Sequence, residues 1–161
     1  MESRYVKLLV VLRILLGFVF FWTFIDKTFG LGFSTPPDQA WLAGVSPTFG
    51  YLTLYTQGPV AALMQAIAGN PIVDVLFMTG MLLVGISLML GIGLQIAGYS
   101  GALMMALIYI SHFPPANHPV VDQHIVYSAI LIGIALFKPA EVGMGQIWSN
   151  TAIVKRYPVL A

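Results

Sequence analysis

The sequence predicts an all-α membrane protein, a polytopic four-helix bundle with a long outer loop that carries a short interfacial helix. Two observations support this prediction. Of the 161 residues, 58% are apolar and only 8% are charged, whereas soluble domains carry about 25% charged residues. Long apolar segments also recur along the chain, and about 20 such residues suffice for a helix to cross a bilayer. The length suits one domain, so residues 1–161 are treated as a single transmembrane unit.

Charge and cysteine content exclude several classes of function. The formal net charge is +1 and no block of basic residues is present, which argues against nucleic-acid binding. The chain has no cysteine. Disulfide exchange, thiolate catalysis and cysteine-ligated metal clusters are therefore excluded.

The first predicted span covers residues 5–29, and the only charges within its apolar run are Lys7 and Arg13. A charge inside the membrane is costly and suggests a functional site. Arg13 shares a helix face with Gly17, which lets a neighbouring backbone approach, so this face is expected to point inward. Alternatively, Arg13 reaches back to the cytoplasmic surface along its own helix. The N-terminus also resembles a signal peptide, but the charges at Arg13 and at 26–27 favour a retained anchor.

A long loop follows the first span. Residues 31–49 are rich in Gly, Ser and Pro, and the adjacent prolines at 36 and 37 would break a helix. Residues 50–69 are apolar enough for a fifth span, but Gln57, Gly58 and Pro59 interrupt them. The segment 59–68 is predicted to form a short helix, either interfacial or re-entrant, because non-helical backbone at membrane depth needs cover from protein or water.

Three further spans are predicted at 71–91, 94–113 and 122–138. Asn70 is expected to cap the second span with Pro71 in its first position. Small residues in these spans are spaced for close helix contact; they are Gly80, Gly85, Ser87, Gly91, Gly98, Gly101, Ala129 and Gly133.

The distribution of basic residues predicts the orientation. With four spans, Arg4, Lys7, Lys138, Lys155 and Arg156 lie on one side, and Lys27 alone marks the other. Positive residues concentrate on the cytoplasmic side. Both termini of a multi-pass cell-membrane protein are therefore predicted to be cytoplasmic. A fifth span would place the C-terminal basic residues outside.

This topology brings most of the ionisable groups to the outer side. They are Asp26, Lys27, Asp38, Asp74, His112, His118, Asp122 and His124. Polar groups that converge at the mouth of an apolar helix bundle are the default candidate for a ligand site.

Several of these residues also have purely structural explanations. Asp122 can cap the fourth helix, and Asp74 lies where the helix dipole favours an acid. His112 ends the third helix, where a cation is favoured. His118 lies in a Pro-rich loop and reads as a solvated surface histidine.

His124 is harder to explain by structure alone. It lies in the first turn of a span, with Tyr127 three residues further on the same face. Tyr109 and His112 form a second pair at the same spacing. Two His/Tyr pairs at similar depth could hold both carbonyls of a quinone, and histidine carries protons near neutral pH. No HxxxH or HxH spacing appears, and the histidines lie at the membrane edge, so neither haem nor metal is expected.

The predicted roles divide into chemistry and binding. Asp122 and His124 would move protons, and Lys27 with Arg13 would attract an anion or a quinone oxygen. Arg13, Asp74, His112, Tyr109, Tyr127 and Trp41 are the candidate substrate-binding residues. An aromatic roof is expected to exclude water from the pocket; its members are Trp41, Phe49, Tyr51 and Tyr55.

The chain resembles the DoxX family. Arg13, Leu16–Gly17, Phe20–Phe21 and Lys27 are similar to the first-helix pattern of that family. The stretches DKTFGLGFSTPPDQAWLAGVSPTFGYL and DQHIVYSAILIGIAL resemble the subgroup near the DoxD subunit of thiosulfate:quinone oxidoreductase. The resemblance covers most of residues 10–138.

The resemblance implies a small prokaryotic four-helix membrane protein, often attached to redox complexes, with the quinone as cofactor. Members are associated with thiosulfate-dependent quinone reduction, terminal oxidases or oxidative-stress defence. Three functions stay open: an oxidoreductase subunit with a quinone site, a non-catalytic subunit or assembly factor, and a lipid or small-molecule carrier. The expected partners are the lipid bilayer and a second redox subunit or another copy of the chain.

Overall fold

The computed structural model describes residues 2–115, 120–140 and 143–160, and His118 and Glu141 lie outside these ranges. Within them the chain is all-helical and has no strand, as the composition predicts. The α-helices, in chain order, are α1 (Glu2–Phe29), α2 (Phe49–Leu54), α3 (Ala61–Ala66), α4 (Pro71–Leu90), α5 (Leu94–Ser111), α6 (Gln123–Phe137), α7 (Gly145–Ser149) and α8 (Ala152–Arg156).

Three helices are long and apolar enough to cross a membrane. They are the segment Arg4–Phe29 of α1, with 26 residues, and helices α4 and α5, with 20 and 18 residues. Helix α6 is also apolar but has 15 residues. It extends about 22 Å, compared with the roughly 30 Å hydrocarbon core of a bilayer. The crossing of the fourth predicted span therefore stays a prediction.

Local chemistry fixes the ends of α4 and α6. The Asn70 side chain accepts a hydrogen bond from the Ile72 amide at 2.9 Å, and Pro71 opens α4 as predicted. Gly91 ends α4 in a left-handed conformation with φ of 81°, which glycine adopts without steric cost. Asp122 caps α6 in the same way as Asn70 caps α4.

Helices α1 and α4 pack antiparallel through glycine contacts. A Cβ atom added at Gly85 would lie 2.6 Å from the Phe21 amide nitrogen, and one added at Gly17 would lie 2.9 Å from the Met89 amide nitrogen. Both backbones can approach this closely only because glycine has no side chain. The inward face predicted from Gly17 is confirmed.

Helices α5 and α6 meet in the same manner at Gly98, whose Cβ would lie 2.6 Å from the Leu131 carbonyl oxygen. On α6, however, the predicted contact residues are wrong. Ala129 is exposed, and a Cβ at Gly133 would meet no atom within 4 Å. Leu131, Ile134 and Ala135 form the buried face instead, so the small residues lie on the opposite side of the helix.

Arg13 lies inside this core and is fully buried, with 0% of its side chain exposed. Phe20, two turns along α1, is 1% exposed and belongs to the main apolar cluster. The predicted burial of Arg13 is confirmed. The alternative, in which its guanidinium reaches the membrane surface, does not fit this placement.

Two carboxylates anchor the first part of the loop between α1 and α4. Asp26 accepts hydrogen bonds from the Ser34 amide at 2.9 Å and from the Ser34 hydroxyl at 2.7 Å. Asp74 accepts from the hydroxyls of Ser46 and Thr48, at 2.8 and 2.5 Å. Helices α2 and α3 lie between these anchors and α4, and the interfacial position of α3 stays a prediction.

The C-terminal tail folds back onto the turn between α4 and α5. The Met144 amide donates to the Leu90 carbonyl at 2.8 Å, and the Trp148 indole donates to the Leu160 carbonyl at 2.6 Å. Val154 is buried. The tail therefore closes the end of the molecule opposite to the histidines.

Candidate functional site

The ends of four helices meet around one cavity. Helices α1 and α5 finish there, and α4 and α6 begin there. The cavity has a volume of about 300 Å³. Its walls are mostly apolar, and the polar groups among them come from Lys27, Thr48, Tyr51, Ser111 and His124. The arrangement is that of a small-molecule pocket, with apolar walls and a few placed polar groups.

Two histidines and an aspartate form a cluster at the edge of this cavity, called here the His–Asp–His cluster (His112, Asp122 and His124). The Oδ2 atom of Asp122 lies 3.0 Å from Nε2 of His112 and 2.7 Å from Nδ1 of His124. The two imidazole rings meet edge to face, with centroids 5.1 Å apart. The structure thus brings together three residues that the sequence placed in one site.

The cap of α6 positions the carboxylate. Oδ1 of Asp122 accepts hydrogen bonds from the amides of His124 at 2.9 Å and Ile125 at 3.2 Å, which leaves Oδ2 for the imidazoles. Burial alone would raise the pKa of Asp122, but hydrogen bonds from His124, the Ile125 amide and His112 together hold that pKa below its usual value. Asp122 therefore caps α6 and also contacts both histidines, and its catalytic role stays a prediction.

Tyr51 joins the loop to the cluster. Its hydroxyl lies 2.9 Å from the Ser111 hydroxyl and 3.2 Å from Nδ1 of His112. Burial raises the pKa of Tyr51 above its usual value, so the phenol stays protonated. A second cavity, of about 320 Å³, lies beside the first, and Tyr51 and His124 line both cavities.

Gln57 also holds the loop against α5, a role that the sequence did not indicate. Its side-chain amide donates to the carbonyls of His112 at 2.9 Å and Pro114 at 2.6 Å, and its backbone amide donates to Ser111 at 3.0 Å. At the next residue, Gly58, an added Cβ would collide with the Phe113 carbonyl oxygen. The only sequence signal was the break in hydrophobicity at this point. It indicates a turn but does not show that the turn contacts the end of α5.

Lys27 lines the cavity from the last turn of α1. Its ammonium group donates to the Pro47 carbonyl at 3.1 Å. His124 of the His–Asp–His cluster lines the same cavity, so a ligand that fills the cavity can contact both Lys27 and His124.

The structure places the other predicted binding residues away from the cavity lining. Asp74 is buried and serves the loop through Ser46 and Thr48. Arg13 lies deeper in the core of the helices. Trp41 sits in a short 3-10 turn, Trp41–Ala43, that packs against α1.

Tyr109 and Tyr127 support the site indirectly. The Tyr109 hydroxyl donates to the Val120 carbonyl at 2.6 Å, and its ring packs edge-on against His112 with centroids 6.1 Å apart. Tyr127 packs against the apolar core. The predicted His/Tyr pairs therefore do not both face the cavity.

Only one of the four predicted roof aromatics covers the cavity. Tyr51 lines it, whereas Phe49 is 50% exposed and Tyr55 is 67% exposed. The short helix α2 causes this difference, because it turns Tyr51 and Leu52 inward and its ends outward. Met64 and Ile67 complete the cover from the following segment.

The His–Asp–His cluster is also the one group in the described part of the chain with the spacing of a metal site. One ligand atom from each of its three residues lies within 4.8 Å of the others. The two buried acids, Asp26 and Asp74, accept hydrogen bonds from loop hydroxyls and amides instead.

Comparison of the chain with protein-family models, with curated proteins and with solved structures gave no match. The resemblance to the DoxX family therefore rests on the sequence motifs alone.

Proposed function

We propose that this protein is a membrane subunit that binds a quinone in the 300 Å³ cavity and takes part in its reduction. The observation behind the proposal is the lining of that cavity: mostly apolar walls carry polar groups from Lys27, Tyr51, Ser111 and His124. A quinone has a flat apolar ring with a carbonyl oxygen at each end, so it is held by a few hydrogen-bond donors set into apolar walls.

The adjoining surface suits a ligand with an apolar tail. A further cavity between α4 and α5 shares Val73, Phe77, Leu107 and Ile108 with the first one and has almost wholly apolar walls. A long-chain quinone could keep its ring among the polar groups and lay its tail along this surface toward the lipid.

Lys27 has a defined role in this proposal. Reduction of a quinone adds two electrons and two protons, and negative charge develops on its oxygens before the protons arrive. A fixed ammonium in a partly dry site stabilises that charge. A proton-transfer role for Asp122 and His124 stays a prediction.

The electrons must come from outside this chain, which has no cysteine. The resemblance to DoxX members suggests thiosulfate as the donor. Two thiosulfate ions that join through a new sulfur–sulfur bond release two electrons as tetrathionate forms. Those electrons and two protons from the medium convert one quinone to its quinol, so the reaction balances.

Binding of a short-chain ubiquinone analogue to the purified protein in nanodiscs tests the proposal. We expect Lys27→Met to weaken binding by about 10-fold or more, because a hydrogen bond from a charged group contributes about 1.5–3 kcal/mol. Lys7→Met is the matched control, since Lys7 is exposed on the same helix far from the cavity. Isothermal titration calorimetry gives both affinities.

Equal affinities for the two lysine variants would contradict the site assignment. The lipids that co-purify with the protein discriminate further. A bound quinone supports the proposal, a different bound lipid favours a carrier, and a stoichiometric protein partner without any quinone favours an assembly factor.

We further propose that α1, α4, α5 and α6 all cross a cell membrane of prokaryotic type, with both termini in the cytoplasm. Because the chain has no cysteine of its own, the labelling of a single introduced cysteine can be measured without background. We expect Gln39→Cys to react with an impermeant maleimide in intact cells, and Ser149→Cys to react only after permeabilisation. Both positions are exposed. Labelling of Ser149→Cys in intact cells would mean an odd number of spans.

A further inference from the structure

We propose that the His–Asp–His cluster binds one divalent transition-metal ion of the Zn²⁺ class at the rim of the cavity. The inference is independent of the quinone. From the sequence no metal is expected, because His112 and Asp122 are ten residues apart and cap the ends of two different helices. The fold brings them together when the end of α5 meets the start of α6.

The protonation pattern of His112 carries the argument. Its Nδ1 atom lies 2.6 Å from the Ile108 carbonyl oxygen. A carbonyl can only accept, so Nδ1 must carry a hydrogen and donate it. In a neutral imidazole the other nitrogen, Nε2, then has no hydrogen and presents a lone pair.

That lone pair faces a negative charge. Nε2 of His112 lies 3.0 Å from Oδ2 of Asp122, and two acceptors at this distance repel each other unless a cation lies between them. The cation is either a second proton on His112 or a metal ion shared with His124, whose Nδ1 lies 2.7 Å from the same oxygen.

The surroundings favour the metal ion because they orient the ligands from behind. The Ile108 carbonyl fixes the ring of His112 in the tautomer that leaves Nε2 for the metal, the usual arrangement for a metal-binding histidine. The cap of α6 holds Oδ1 of Asp122 and turns Oδ2 toward the rings. Both contacts orient the ligand atoms, so binding of an ion needs little reorganisation.

The distances also suit a small ion. Ligand bonds of about 2.0–2.1 Å in a tetrahedron place the ligand atoms roughly 3.3 Å apart. The observed separations of 3.0 and 2.7 Å from Oδ2 lie close to that spacing. All three ligand atoms lie within 4.8 Å of one another.

The ligand set indicates the class of metal. Two imidazoles and one carboxylate suit Zn²⁺ and its first-row neighbours, whereas Ca²⁺ and Mg²⁺ prefer oxygen ligands alone. Three protein ligands leave a coordination position for water or a ligand. His124 lines both cavities, so that position is expected to face the space where a ligand would bind.

The test uses full-length protein in detergent, stripped with EDTA and titrated with Zn²⁺ alone by calorimetry. We expect one Zn²⁺ per chain, and loss of affinity by at least about 100-fold in His112→Ala and His124→Ala, more than the roughly 10–100-fold typical of losing an outer-shell partner. Asp122→Asn is titrated as well. Its control is Asp38→Asn, since Asp38 is an exposed acid in the loop. Circular dichroism checks the fold of each variant.

X-ray absorption of the Zn²⁺-loaded wild type identifies the ligands without any substitution that could affect folding. We expect two imidazole ligands and only light-atom neighbours. Three outcomes would overturn the proposal: no binding by the wild type, unchanged binding by both histidine variants, or an absorption spectrum without imidazole. Quinone binding, measured on the metal-free protein, can fail or succeed separately.

Discussion

Replacing Asp122 with alanine is expected to lower the free energy of unfolding by about 3 kcal/mol. The change removes the cap of α6, where Oδ1 holds the amides of His124 and Ile125; loss of such a cap costs about 1 kcal/mol. It also removes the acceptor for His112 and His124. Hydrogen bonds that involve a charged group contribute about 1.5–3 kcal/mol each, partly recovered here because the site is not fully dry.

Asp122→Asn separates these two contributions. An asparagine side chain keeps an oxygen for the cap but presents an NH₂ group to the imidazoles in place of Oδ2. Unfolding of the metal-free protein in mixed detergent should therefore rank the stabilities as wild type, then Asp122→Asn, then Asp122→Ala. Equal stability of the two variants would mean that the cap contributes nothing. A fully stable Asp122→Ala would mean that the His–Asp–His cluster is not formed.

Hydrophobicity and capping residues predicted the long helices well. The second predicted span, 71–91, is helix Pro71–Leu90, and its start is fixed by the Asn70–Pro71 pair. Such ends are local, because a cap involves atoms only two or three residues apart. Helix α6 likewise begins within a residue of its predicted start, next to the cap at Asp122. Helix α5 begins at its predicted start without a side-chain cap, directly after Gly93.

The faces of the helices were predicted less reliably. A small residue permits close contact but does not say on which side the neighbour lies. Gly98 and Gly133 look alike in sequence, yet one touches the Leu131 backbone and the other meets nothing. The buried face of α6 is set by its large residues, Leu131 and Ile134, because they alone bury enough apolar surface to decide the packing.

The sequence predicted that the polar side chains gather at one end of the molecule, but it did not predict which of them contact each other. Topology alone brings Lys27, Asp74, His112, Asp122 and His124 to one end of the helices. Which of them touch depends on the loop, whose contacts span large distances in sequence. Asp74 binds the loop hydroxyls of Ser46 and Thr48, and the sequence contains no local pattern that distinguishes it from Asp122.

The same reasoning explains why the sequence does not predict the proposed metal site. Metal sites visible in a sequence have ligands one helical turn or a few residues apart. Here one histidine ends α5, and the other begins α6 next to the aspartate. The length of the segment between them does not determine how close the two histidines come. The Ile108 carbonyl that orients His112 is a backbone group, and no sequence pattern reveals such a contact.

Replacing Gly85 with alanine is expected to lower the free energy of unfolding by about 2 kcal/mol, within the range of about 1–3 kcal/mol for overpacked cores. The new Cβ would lie 2.6 Å from the amide nitrogen and 2.9 Å from the Cα atom of Phe21. These are backbone atoms of a packed helix, so no side-chain rotation can relieve the contact. Helices α1 and α4 would have to separate along the face that buries Arg13 and Phe20.

Gly133→Ala is the matched control, because it makes the same chemical change in an apolar helix of the same molecule. A Cβ at Gly133 meets no atom within 4 Å, and alanine favours helix over glycine by up to about 1 kcal/mol. Unfolding in mixed detergent should therefore show Gly133→Ala at or slightly above wild-type stability and Gly85→Ala clearly below it. The difference between the variants isolates the contact from the change in helix propensity, which they share. Equal stability of the two variants would mean that α1 and α4 do not approach as closely at Gly85 as described.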